Sequence, residues 1–112
     1  MINQLRVYRI DPALADVFHT RFRDHATRLM TQHGFRILAM WEERREEELN
    51  FVYLLAWTDE AEMRERWAAF MADAEWDAIK VRSRGPGGEP VQGVTERVLH
   101  AVPYSAPIEP RA

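Results

Sequence analysis

Four histidines, His19, His25, His33 and His100, are the first candidates for chemistry. An imidazole titrates near neutrality and can serve as a general base, a ligand-orienting group or a metal ligand. His25 is singled out because it falls between Phe22 and Leu29 on an apolar stripe of helical period, expected to face a sheet. Two readings are open. His25 is a core histidine satisfied by a carbonyl, a tyrosine hydroxyl or Asp24, or it is a catalytic base in a cavity between helices and sheet. The first is favoured, because half-buried histidine is ordinary. His25 and His33 stand eight residues apart, too far to chelate one ion between them, and no H-E-x-x-H or cysteine spacing accompanies them. No metal and no cofactor are expected.

Tyr8 and Tyr53 are candidate polar partners or ligand contacts from strands. Trp41, Trp57, Trp67 and Trp76 can line a pocket for a flat ligand or anchor core and interface; the anchoring reading is favoured, with Trp41 and Trp57 kept as candidate ligand contacts. Arg21 leans toward the apolar stripe and can grip an anion, whereas Arg23 and Arg28 are expected on the solvated face. Nucleophile-elbow, P-loop and dinucleotide-binding patterns are all missing, and the glycine-rich segment at 83–90 lacks the P-loop lysine.

The elements that must position these residues follow from periodicity. Residues 2–10 alternate, with Leu5 and Val7 on one face and Tyr8 and Ile10 on the other, which predicts a strand. Asp11-Pro12 opens a helix to about Gln32, and His33-Gly34 closes it. Residues 35–42 and 49–57 read as a strand pair joined through the charged run Glu43 to Glu48. In the first, Phe35, Ile37, Ala39 and Trp41 are expected to face away from Leu38 and Met40. A second helix follows Trp57, capped by Asp59, with Met63, Trp67, Phe70 and Met71 inward. Asp73 caps a short third helix, and a last strand spans about 91–101. The order β-α-β-β-α-β is the split βαβ, ferredoxin-like arrangement: α+β, a four-stranded antiparallel sheet with helices on one face. One domain over 1–102 and a proline-rich tail over 103–112 are expected.

Composition narrows the function. With 112 residues, 46% of them apolar, the chain is long enough for one core. A net charge of −3 argues against nucleic acid or anionic membrane as partner. The chain has no cysteine, no spanning segment and no signal-peptide block, so a reducing cytoplasm is the expected location. Both faces of the strand over 49–57 are apolar, yet the helices cover only one face of the sheet. A bare second face would exceed the apolar patch usual for a monomer. The expectation is a homodimer with two sheets packed face to face through the open sheet face, and whether the tail crosses to the partner is left open.

Several segments in this order resemble the NIPSNAP family: residues 21–42, then 50–79, within which the strand end at Trp57, the charged helix start at 59–67 and Asp73-Ala74-Glu75-Trp76 carry most weight. Residues 103–107 resemble the end of small bacterial members, and the excess of arginine over lysine points to a bacterial source. The resemblance implies a dimeric α+β barrel and only loosely an activity. Two functions are weighed: a module that binds a small molecule or partner without turnover, and a cofactor-independent oxygenase or isomerase acting on an aromatic or polyketide-like substrate with His25 as base. The first is preferred, because no second group is convincingly paired with His25.

Overall fold

The computed structural model describes residues 1–85 and 87–108. Four strands, β1 (Ile2–Ile10), β2 (Arg36–Arg45), β3 (Glu48–Trp57) and β4 (Val91–Leu99), form one sheet in the order β2-β3-β1-β4, every pairing antiparallel. Helices α1 (Ala15–Arg21) and α2 (Thr27–Gln32) lie between β1 and β2; α3 (Glu60–Met71) and α4 (Ala74–Ser83) lie between β3 and β4. This is the ferredoxin-like α+β arrangement.

The turn Pro12–Leu14 that leads into α1, and helices α3 and α4, each begin where a side chain satisfies free backbone N–H groups. Asp11 accepts from the Ala13 amide at 3.0 Å, with Pro12 opening the turn Pro12–Leu14. Asp59 accepts from the Glu62 amide at 2.8 Å, and the Glu62 carboxylate accepts from the Thr58 amide at 2.8 Å. Asp73 accepts from the amides of Glu75 and Trp76. Gly34, at φ +87°, supplies the left-handed residue that ends α2.

The core lies between helices and sheet. Phe51, Tyr53, Leu55 and Trp57 of β3 point into it and meet Phe18, Phe22, Leu29, Phe35 and Phe70. Three expectations are corrected. Leu38 is an extra residue in β2: Ile37 pairs with Leu55 but Ala39 pairs with Leu54. Beyond this bulge, side chains exchange faces, so Ala39 and Trp41 join Val52 and Leu54 on the outer face while Met40 turns toward the helices. The charged run is not mainly a loop, because β2 and β3 pair out to Arg45 and Glu48 around a tight turn in which Glu46 has φ +54°. Met71 is 53% exposed rather than inward.

α1 and α2 are one continuous helix interrupted by a π-turn over Phe22–Ala26, where the Thr27 amide donates to the Phe22 carbonyl. Such a turn holds more residues than an α-turn, so the helical stripe slips in phase along it.

Residues 101–108 run exposed past β4, and residues 109–112 of the expected tail lie outside the described residues.

Candidate functional site

The site begins on β1. Strand alternation places Gln4, Arg6 and Tyr8 on the same face as Ile2 and Ile10, opposite Leu55, Tyr53 and Phe51 of β3. Three polar side chains therefore sit beneath the helices, and burial without hydrogen bonds would be costly. Each finds partners. Gln4 is 1% exposed; its carboxamide oxygen accepts from the indole N–H of Trp57 at 3.0 Å and of Trp67 at 2.8 Å, and its Nε2 donates to Glu96 at 2.7 Å. Arg6 donates through Nη1 to the same Glu96 carboxylate at 2.8 Å, and its guanidinium lies 4.2 Å from the Trp67 ring centroid. Its Nη2 lies 3.4 Å from the Tyr8 hydroxyl, which is 2.5 Å from that of Tyr53.

Above this floor the helices stop short. β4 pairs with the far side of β1, and α3 and α4 leave its inner face partly open: Val94, opposite Tyr8, is 50% exposed. The result is a trough of about 220 Å³, lined by Arg6, Tyr8, Trp67, Trp76, Lys80 and Val94. It continues over Gln4, Met71 and Glu96 into a second hollow. Trp76 stacks on Phe70 at 5.1 Å, and Trp67 meets Phe70 edge-on at 5.9 Å, so the aromatic wall is held by core packing.

The electrostatics of the floor are fixed by its partners. Burial works to lower the Arg6 pKa, but the phenols of Tyr8 and Tyr53 outweigh it and hold the guanidinium above its usual value. Burial, reinforced by Tyr8, pushes the Tyr53 phenol well up, so Tyr53 keeps its proton. Arg21, 4% exposed, closes one end: its Nη1 lies 2.5 Å from Glu89 and its Nε donates to the Ser83 hydroxyl at 2.8 Å. Burial favours the neutral form of Glu89, yet the bonds from Arg21 outweigh it and lower its pKa.

The residues singled out in the sequence divide. Tyr8, Tyr53 and Arg21 belong to the trough or its supports. Trp57 is fully buried, its N–H committed to Gln4, and it lines neither hollow. Trp41 stands on the opposite face of the sheet, 51% exposed, carried there by the β2 bulge. His25 lies in the π-turn and lines a separate cleft of about 400 Å³ against α4, with Asp16, Thr20, Arg82 and Ser83. It does not face the helix–sheet cavity, because the phase slip of the π-turn turns it toward α4. Its Nδ1 is buried without a hydrogen-bond partner among the described residues. The other histidines go elsewhere: His19 reaches Glu42 at 2.6 Å, His33 reaches Asp73 at 2.7 Å, and His100 approaches Glu60 at 3.6 Å. Gln4, Arg6 and Glu96 are site residues that the sequence motifs did not indicate, while Trp67 and Trp76, favoured as anchors, also line the trough. For Gln4 and Arg6 a signal was available in β1, where they interrupt the apolar face shared by Ile2, Tyr8 and Ile10.

The NIPSNAP family model matches residues 3–106, nearly the whole length. The chain belongs to the NIPSNAP family. Solved structures agree. The NIPSNAP chain is 19% identical to a NIPSNAP-like domain protein of Burkholderia xenovorans, with a TM-score of 0.80 over 97% of this chain and 91% of that one. A NIPSNAP family protein of Agrobacterium tumefaciens is 16% identical, with a TM-score of 0.81 over 97% and 94%. More distantly, an antibiotic biosynthesis monooxygenase is 18% identical, with a TM-score of 0.60 over 92% and 100%. At these identities the likeness is one of fold. No curated protein sequence matches. Among the described residues, no helix is long and apolar enough to cross a membrane.

Proposed function

We propose that this NIPSNAP chain acts as a homodimer in the cytoplasm and binds a small, flat molecule in each trough without transforming it. The observation that carries the reading is the trough itself: aromatic side chains for walls and a polar floor whose groups are already held in place by one another. A preordered site of that kind fixes a ligand's orientation at little entropic cost. Turnover needs several reactive groups converging on one atom. The polar groups of the floor are engaged mainly with each other, and His25 lines a different cleft.

The other side of the sheet supports the dimer. Leu5, Val7, Val52 and Leu54 form a central apolar patch there, flanked by Ala39 and the exposed Trp41. No described helix covers it. Pairing this face with its copy buries the patch by a two-fold operation and leaves both troughs pointing outward.

The test is a thermal-shift screen of aromatic and acidic metabolites against wild type and Val94→Trp. Val94 is half exposed, so an indole there fills the trough without entering the core. A ligand present at a hundred times its Kd stabilises by about 2.7 kcal/mol. Hits that disappear in Val94→Trp and are recovered chemically unchanged are the expected result. Hits indifferent to Val94→Trp, or consumed on incubation, overturn the reading.

A further inference from the structure

The two phenols at the floor of the trough constrain which chemical group a ligand can present. Tyr8 and Tyr53 together own two hydroxyl protons, and their 2.5 Å contact uses one. Tyr53 is fully buried; Arg6 beside it can only donate, so among the described residues Tyr8 is the one hydrogen-bonded neighbour that can accept. If Tyr8 donated, the Tyr53 proton would be left buried with no acceptor, a costly arrangement. The bond therefore runs from Tyr53 to Tyr8. The Tyr8 oxygen also faces Arg6 Nη2 at 3.4 Å, so both its acceptor sites are turned toward donors and its own proton is left over. Tyr8 is half-buried and lines the trough, which is where that proton can go. The high pKa of Tyr53 agrees with its role as permanent donor.

Charge adds a second constraint. Of the three cations on the trough, Arg6 is paired with Glu96 and Arg21 with Glu89. Lys80 lies 5.8 Å from the Trp76 ring centroid and has no carboxylate within ion-pair distance among the described residues. It is the single lysine of the chain and, among the described residues, the cation of the trough without an ion pair. We propose that Tyr8 donates its hydroxyl proton into the trough and, with Lys80, recognises a carboxylate or like oxyanion on a flat small acid. This rests on the trough being a binding site and assigns the class of ligand it takes.

The experiment titrates 2-naphthoate and its neutral counterpart 2-naphthamide calorimetrically into wild type, Tyr8→Phe, Tyr53→Phe, Lys80→Met and Val94→Trp. Wild type is expected to prefer the naphthoate by about tenfold or more, the scale of a charge-assisted hydrogen bond. Tyr8→Phe should weaken naphthoate binding by about tenfold, and Tyr53→Phe much less, because Tyr8 keeps its free proton. Lys80→Met alters only a half-buried side chain and should remove the preference for naphthoate with folding intact, so the proposal remains testable if Tyr8→Phe is unstable. Equal affinity for the two compounds in wild type, or equal losses in the two tyrosine variants, overturns the proposal. The trough reading survives that outcome if Val94→Trp still abolishes binding. Failure of both compounds to bind wild type overturns the proposal and the trough reading together.

Discussion

Gln4 is the residue on which most of the site depends. Its carboxamide oxygen accepts from two indoles, Trp57 in the core and Trp67 at the trough wall, and its amide holds Glu96 beside Arg6. Gln4→Leu keeps the volume but leaves a buried Trp57 N–H without an acceptor, at a cost of about 2–3 kcal/mol. Urea unfolding should show that loss through a lower midpoint. Because Trp67 is released as well, the variant should also bind trough ligands more weakly than Val94→Ala, which touches no hydrogen bond. At this scale the sequence was informative about residue type and poor about partnership. Tyr8 and Tyr53 were visible as polar aromatics on strands, but their 2.5 Å contact depends on the β1–β3 register, which places Arg6 directly opposite Tyr53. His25 looked like the strongest catalytic candidate because an uninterrupted helix would aim it at the sheet.

Among elements, the joint between α1, α4 and the lead into β4 rests on one ion pair. Arg21 leaves α1, takes Ser83 at the end of α4, and meets Glu89, whose carboxylate also accepts from the Val91 amide at 3.3 Å. The folded pKa of Glu89 lies below its usual 4.5. A depressed folded pKa means that the contribution is complete above the unfolded pKa and is lost as pH falls through the folded value. Stability should therefore decline as pH falls through and below the usual carboxylate value of 4.5, and Glu89→Gln should flatten that decline while lowering stability at neutral pH. Chemical denaturation midpoints from neutral into acid pH measure both effects. Opposite behaviour, with Glu89→Gln steeper in acid than wild type, would contradict the pairing.

The same scale shows why the elements were largely legible and their irregularities were not. Caps at Asp11, Asp59 and Asp73, and Gly34 after α2, are local signals, and the helices begin and end beside them. The Leu38 bulge has no local signal, since Ile37, Leu38, Ala39 and Met40 suit either face and only pairing with β3 decides. The charged residues 43–45 extend β2 because an edge strand protruding beyond the helices is wet on both faces, so its hydrogen bonds need no apolar alternation. The π-turn at 22–26 likewise leaves no mark in the residue types. Its effect is large, because it moves His25 from one cavity to another.

For the whole molecule, the sheet has two faces and the chain builds helices for one. The inner face carries the core, the Gln4 network and the trough. The outer face carries Leu5, Val7, Val52, Leu54 and Trp41, with Arg9, Asn50 and Glu43 at one end, where Asn50 donates to Glu43 at 3.0 Å. A central apolar patch with a polar end is the anatomy of a protein interface rather than of a solvated sheet. The family match runs from residue 3 to residue 106. The functional unit proposed for this chain is a pair of chains, back to back, each presenting its own trough. Sedimentation velocity at micromolar concentration, run on wild type and on Trp41→Glu, tests this most directly. Wild type should sediment as a dimer of about twice 13.2 kDa and Trp41→Glu, with a charge set into the apolar face, should shift toward the monomer. A wild-type chain that remains a stable monomer at that concentration would contradict the account.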